Sequence, residues 1–234
     1  MFFTVKRKTI IILLVIILAI VGAAVGIGLG VRSVQASGSN GKTVVIDAGH
    51  GGIDGGVVGT VTGVREAEIN LAIARNLRGF LESKGYRVVM TRSTADGLYG
   101  LNTRNRKLAD METRRRIINN ASPDLVVSIH QNSFPSPTVR GPQVFFSAGC
   151  ASSAEYATLM QSVLNSTLNS DRMAKRGDFF ILECSPYPSL LIECGFLSNP
   201  EDEQLLITPE YQEKVAYAIF TGIHLILFDT GAIA

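Results

Sequence analysis

The hydrophobic pattern of the chain changes character once, near residue 40. From Thr9 to Val31 no side chain is charged, and every position from Ile10 to Ile20 is apolar. At about 1.5 Å per residue the stretch spans roughly 34 Å, enough to cross a bilayer. Lys6, Arg7 and Lys8 precede it, which predicts a cytoplasmic N-terminus with the rest of the chain outside. Beyond the polar run Ser37–Lys42, strand-like and helix-like patterns alternate. Thr43–Asp47 reads as a buried strand, Gly49–Gly63 as a glycine-rich loop, and Ala67–Lys84 as an amphipathic helix. In that helix Ile69, Ile73, Leu77, Phe80 and Leu81 share a face, and Gly85 stands where a C-terminal cap belongs. Further strands are expected at Arg87–Thr91, Leu125–His130, Gly141–Ser147, Phe179–Leu182 and Leu190–Cys194. Pro142 suggests that the Gly141–Ser147 strand is an edge or carries a bulge. Helices are expected at Asp110–Asn120, Ser152–Leu168 and Pro209–Phe228, the last with Tyr211, Val215, Ala218, Ile219 and Ile226 inward. This alternation predicts an α/β layer fold with a largely parallel sheet, preceded by an N-terminal transmembrane helix.

Small residues at Val34-Gln35-Ala36, before Ser37, offer a signal-peptidase site. The length of the apolar run favours an uncleaved anchor over a signal peptide. The expected organisation is therefore residues 1–36 as cytoplasmic tip and anchor or signal, 37–42 as linker, and 43–234 as an exported domain. The formal net charge is +2, and residues 1–36 hold Lys6, Arg7, Lys8 and Arg32 with no acid. The exported part is thus slightly acidic, which argues against a nucleic-acid partner. The three cysteines, Cys150, Cys184 and Cys194, allow at most one disulfide and show no CxxC spacing.

Against that background four residues stand out. His50 follows the first strand in Asp47-Ala48-Gly49-His50-Gly51-Gly52, and His130 ends the strand containing Ser128-Ile129. Glu66 opens the first helix, and Glu193 interrupts the apolar run Leu190-Leu191-Ile192. The chain has only 3 histidines, and two of them lie at strand ends, where α/β sheets place their sites. The set suits a His/Glu/His metal site with a spare carboxylate as base. Taken singly, each residue has a plainer role. His50 reads as a turn residue, His130 as a core histidine, and Glu66 as a first-turn acid rivalled by Glu68. Glu193 is harder to dismiss, because a carboxylate buried without a partner is costly. Cys194 points to the opposite face of its strand and reads as a buried thiol. His224 reads as structural. No GxSxG elbow or P-loop is present. Most of the cluster Arg104, Arg106, Lys107, Arg114, Arg115 and Arg116 reads as a solvated helix face.

From Lys42 onward the chain resembles the zinc-dependent N-acetylmuramoyl-L-alanine amidases of the Amidase_3 type. The resemblance is carried by Val44-Val45-Ile46-Asp47-Ala48-Gly49-His50-Gly51-Gly52, Arg65-Glu66, Val89-Met90-Thr91-Arg92, Ser128-Ile129-His130-Gln131-Asn132 and Ile192-Glu193-Cys194-Gly195-Phe196-Leu197-Ser198-Asn199. Ala48 departs from the proline common in relatives. The resemblance implies a mixed sheet of about six strands between helices, zinc (Zn²⁺) held by His50, Glu66 and His130, and Glu193 as the catalytic carboxylate. Arg92 and Asn132 are candidate substrate-binding residues, although Arg92 is equally suited to holding the sheet edge. Asp47 or a polar neighbour is expected to orient a ligand histidine. The subgroup most resembled is the membrane-anchored spore-cortex amidases, the CwlD type. That implies a peptidoglycan substrate on the cortex side of the forespore and a muramic acid deacetylase acting downstream, with control left to expression, metal loading or an activating partner protein. No inhibitory helix is expected between Phe146 and Phe179. The rival readings are another zinc hydrolase of peptidoglycan and a membrane-tethered, non-catalytic wall-binding or scaffold module.

Overall fold

The computed structural model describes residues 41–100, 104–150 and 152–229. The apolar stretch Thr9–Val31 lies outside the described residues. Among those described, no helix is long and apolar enough to cross a membrane.

The strands are β1 (Thr43–Ala48), β2 (Arg87–Met90), β3 (Leu125–Asn132), β4 (Gln143–Phe146), β5 (Lys175–Arg176) and β6 (Ser189–Phe196). They form one 6-stranded sheet in the order β2-β1-β3-β6-β4-β5. All pairings are parallel except β4 with β6. The helices are α1 (Glu66–Ser83), α2 (Arg106–Ala121), α3 (Ser153–Leu168), α4 (Phe180–Glu183), α5 (Pro200–Leu206) and α6 (Pro209–Asp229).

Strand alternation divides the core in two. Val44, Ile46, Val127, Ile129, Leu190 and Ile192 pack with α1, α3 and α6 into the larger cluster. Val45, Val126 and Leu191 face the other way, against Ile118 and Ala121 of α2 and Ile181 and Leu182 of α4. The strands are therefore covered on both faces, as their near-continuous apolar composition requires. The second layer is thin, and α4 is a single turn. Asp47, Ser128, His130 and Glu193 occupy this thinly covered face, by the same alternation that sends Cys194 into the larger core.

Helix α1 buries Ile69, Ile73, Leu77 and Leu81, with Phe80 half-buried. It ends in a Schellman motif: Gly85 N–H donates to Glu82 O (3.0 Å) and Tyr86 N–H to Leu81 O (3.2 Å). Gly85 has φ +78°, which a side chain would strain. In α6, Val215, Ala218, Ile219 and Ile226 are buried, and Tyr211 is half-buried.

Two expectations need correction. Phe179–Leu182 is not a strand: Phe180–Glu183 forms α4, which tucks Ile181 and Leu182 under the sheet. Short apolar runs do not reveal their period. The outermost strand on that side is instead the exposed pair Lys175–Arg176, too short and polar to signal itself. Strand β4 is accordingly not an edge. Pro142 stands just before it, where no ladder donor is needed.

Leu77 is fully buried in the larger cluster. Leu77→Ala is expected to destabilise the domain by about 2–5 kcal/mol, the cost of lost burial plus the cavity left behind. Urea unfolding checks this, and a loss below about 1 kcal/mol would contradict the packing described.

Candidate active site

The site begins with a register. His130 on β3 lies directly beside Glu193 on β6, and Asp47 on β1 beside Ser128 on β3. Just past His130 the pairing slips, so that Asn132 meets Phe196. A bulge at this point re-aims side chains at a strand end.

The glycine-rich loop after β1 then folds across the strand ends. His50 adopts φ +60°, unusual for a residue with a side chain. Gly49 lies against the His130 ring so closely that a Cβ would come within 2.3 Å of ring atoms. At Gly56 a Cβ would sit 2.3 Å from Glu66 Oε2. Helix α1 has no side-chain N-cap; the loop supplies one. Glu66 N–H donates to Val57 O (2.8 Å) and Ala67 N–H to Gly55 O (3.0 Å). Loop closure and the position of Glu66 are thus one event.

Glu66 is 1 % exposed. Its Oε2 accepts from Val57 N–H (2.8 Å), and its Oε1 from Gln131 N–H (3.1 Å) and Asn70 Nδ2 (3.2 Å). Its Oε1 also lies 2.9 Å from His130 Nδ1 and 3.3 Å from His50 Nε2. Burial pushes its pKa up, but hydrogen bonds from His130 and His50 and their charge overcome that. The carboxyl is held far below its usual range. His50 is raised: burial opposes its charge, and Glu66 and Asp54 outweigh burial. One donor atom from each of His50, Glu66 and His130 lies within 4.8 Å of the others. Two imidazoles and a carboxylate that stays ionised are a suitable donor set for a divalent ion with an open position.

Glu193 has the opposite environment. It is 8 % exposed, and its Oε2 has no hydrogen-bond partner among the described residues. Burial raises its pKa to about 7, against the pull of His130 and His50. Two neighbouring carboxyl groups are thus driven in opposite directions, which suits one to stay ionised and the other to exchange a proton near neutral pH.

Two buried arginines hold the loop. Arg114, 2 % exposed, donates to Asp47 Oδ1 (2.6 Å), Asp110 Oδ2 (2.6 Å), Ala48 O (2.8 Å) and His50 O (2.7 Å). Arg92, 3 % exposed, donates to the carbonyls of Ala48, Gly49, Ala67 and Thr94. Arg92 therefore lies under the loop and not in the cleft; of its two expected roles, its position supplies the structural one. Arg114 likewise leaves the solvated face expected of its cluster. Asp47 makes no hydrogen bond to a histidine. Its partners are Arg114, Thr91 (2.7 Å) and Ser128 (2.6 Å). Burial would raise its pKa, but Arg114 and these hydroxyls lower it to about 2.

The carboxylate that faces a candidate ligand is Asp54, whose Oδ1 lies 2.9 Å from His50 Nδ1 without a well-aligned hydrogen bond. Sequence reasoning missed Asp54, Arg114 and Asn70. Asn70 donates to Gly49 O and Glu66 Oε1 and accepts from Gln131 Nε2. Its signal was present: it lies one turn after Glu66, a polar residue on a buried face. Of the rival acids, Glu68 is exposed. His224 pairs with Tyr86 Oη at 2.9 Å, away from the site.

Above these residues lies a cleft of about 860 Å³, with His50, Glu66, His130 and Glu193 among its lining. Asn132 also lines it, its Oδ1 accepting from Ser133 N–H (2.8 Å). Tyr99, Arg106 and Lys107 line it too, as do Phe179 and Phe180.

A family model described as N-acetylmuramoyl-L-alanine amidase (Amidase_3) matches residues 44–224. The chain belongs to this family and is an N-acetylmuramoyl-L-alanine amidase. A germination-specific N-acetylmuramoyl-L-alanine amidase of Bacillus subtilis is 38% identical over 189 residues, 79% of each chain. The amidase LytC of the same organism is 34% identical over 78% of this chain and 35% of its own. A CwlD amidase from Clostridioides difficile, solved in complex with the GerS lipoprotein, superposes with a TM-score of 0.77 at 38% identity, covering 80% of this chain and 98% of that one. Within the family, then, the chain is of the CwlD type.

The Asp47–Arg114 pair carries a stability prediction. Asp47→Asn leaves Arg114 short of its buried counter-charge, and about 3–5 kcal/mol of loss is expected in urea unfolding at pH 7. In the native chain the folded-state pKa of Asp47 lies below its unfolded value. Its contribution, about 2 kcal/mol, is present above pH 4 and lost as pH falls toward 2. The Asn variant should lack that part of the acid dependence. An unchanged acid limb would remove Asp47 as its source.

Proposed function

We propose that the chain is a zinc-dependent hydrolase of the amide between the lactyl group of N-acetylmuramic acid and L-alanine, working in spore-cortex peptidoglycan. The observation that supports this most is Glu193: a buried, unpartnered carboxyl beside two histidines and an ionised glutamate, facing the cleft. A scaffold or wall-binding module would have no use for it. His50, Glu66 and His130 would hold the metal. When bound, zinc supplies Lewis acidity, polarising the amide carbonyl and making water acidic near neutral pH.

The residues of the chain do the rest. Glu193 accepts a proton from the attacking water and returns it to the leaving nitrogen as the C–N bond breaks. Glu66 stays ionised because its hydrogen bonds hold it so, and it does not compete for that proton. Asp54 lies 2.9 Å from the far nitrogen of His50, where a small turn of either side chain would let it orient the ring. The glycine contacts at positions 49 and 56 keep the donors together.

Residues 1–36 are proposed as the anchor or signal, 37–42 as linker and 43–234 as the catalytic domain outside the membrane. The germination-specific relative supports a role in germination; the further proposal is that the reaction precedes muramic-lactam formation, with a deacetylase downstream. The CwlD–GerS complex supports a partner protein for this chain as well, proposed here to act as an activator.

Mass spectrometry of purified peptidoglycan incubated with the protein and zinc should show free stem peptides that begin at L-alanine. Glu193→Gln should lower kcat by about 10²–10⁴-fold while zinc binding persists. Full activity in that variant would exclude Glu193 as the base. Because the base must be ionised, activity should fall on the acid side. A neighbouring dication lowers the pKa of Glu193 from about 7, so the midpoint should lie at or below pH 7. Chelation should abolish release, and added zinc should restore it. Persistent release in the fully stripped protein would rule out the metal mechanism.

A further inference from the structure

The basic cluster of α2 divides into three environments. Arg114 is buried and consumed by Asp47 and Asp110. Arg115 pairs with Glu112 on the outer face. Arg106 and Lys107, in the first turn, line the cleft. The side chain of Lys107 is 76% exposed, and its nearest acid, Asp54 Oδ2, is 3.9 Å away. The other oxygen of that acid is already engaged with His50. Arg106 has no ion pair among the described residues; its guanidinium lies 5.7 Å above the Tyr99 ring.

Tyr99 is itself fixed. Its Oη accepts from Ile53 N–H (2.7 Å), and a Cβ at Gly52 or Gly97 would come within 2.2 Å of its ring or hydroxyl. The platform under Arg106 belongs to the connection between β2 and α2 and is held against the loop that carries His50. The first turn of α2 holds no acid, although a helix start favours acids and disfavours cations. Two cations are thus placed at a helix start, which disfavours them; among the described residues they have only a long ion pair and a ring contact, and both line the cleft.

We propose that Arg106 and Lys107 form a subsite for a free carboxylate on the leaving peptide, close beyond the scissile alanine. The inference rests on the amidase reading and names the substrate chemistry of that site. In the intact substrate the lactyl carboxyl is tied up in the scissile amide, so the nearby carboxylates belong to the peptide. Contacts of 3.9 and 2.9 Å, bridged by the Asp54 carboxylate, separate the Lys107 ammonium from the His50 imidazole. At roughly 3.3–3.6 Å per extended residue, a group one or two residues past the alanine reaches it. The apolar side of the cleft, with exposed Phe179 and Phe180, suits the methyl groups of the same peptide.

The test compares two synthetic N-acetylmuramoyl peptides, identical except that the second residue carries either a free carboxylate or its carboxamide. With the full-length zinc-loaded protein, kcat/KM should be about tenfold or more higher for the acid, mainly through KM. The preference should shrink as salt rises. In the Arg106→Gln/Lys107→Gln double variant it should fall to near unity, while Lys214→Gln, a distant surface change, should keep it. Calorimetric titration of the released peptides should show the same acid-over-amide ratio. Equal hydrolysis of both substrates by the native protein would overturn the subsite and leave the amidase reading standing. So would a preference that the double variant retains. Hydrolysis of neither would overturn the amidase reading and the subsite with it.

Discussion

Two buried guanidinium groups grip the carbonyl oxygens of Ala48, Gly49 and His50, and the geometry of the site depends on that grip. Arg114 reaches Ala48 and His50 from below, and Arg92 reaches Ala48 and Gly49. Arg92 also holds Ala67 O in the first turn of α1, so one side chain ties the His50 loop to the helix that carries Glu66. Buried charge of this kind is costly unless it is paired. Asp47 and Asp110 supply the pairing for Arg114, and Thr91 and Ser128 complete the hydrogen bonds of Asp47. A backbone with His50 at positive φ survives because its surroundings over-determine it.

The two faces of the sheet divide the labour. The face under α1, α3 and α6 is a continuous apolar core and carries the stability. The face under α2 and α4 is thin, and polar side chains enter it at the carboxyl ends of β1, β3 and β6. Every polar group there but a few is satisfied, and one of the exceptions is an oxygen of Glu193. A fold that satisfies its buried polar atoms almost everywhere leaves such a group open where chemistry is done.

Helix α2 connects structure to recognition. One face sends Arg114 into the buried network, and its first turn holds cations at the mouth of the cleft. Asp54 lies between the two regions, touching His50 with one oxygen and approaching Lys107 with the other. Charge at the substrate-facing rim is thereby placed next to a candidate ligand of the metal, without a covalent or helical link between them.

Much of this was readable from the chain alone. Periodicity located β1, β3, β6, α1, α3 and α6, because each buries enough apolar surface to impose its own spacing. The four residues His50, Glu66, His130 and Glu193 were legible because each sits at or near an element end, where α/β sheets collect their chemistry. What pattern could not supply was anything set by partners distant in sequence. Strand β5 has two exposed residues and exists only because β4 offers it an edge. Phe180–Glu183 closes into a turn of helix because the sheet already has its strands. The burial of Arg114, the structural use of Arg92 and the pairing of Asp54 with His50 depend on loops folding back across the sheet. Local sequence determines the elements that bury enough apolar surface to impose their own period, and it marks the residues suited to a metal site and a base. Only tertiary contact decides which charges are buried and paired and which are left facing the substrate, because desolvation and pairing depend on the whole surroundings of a group.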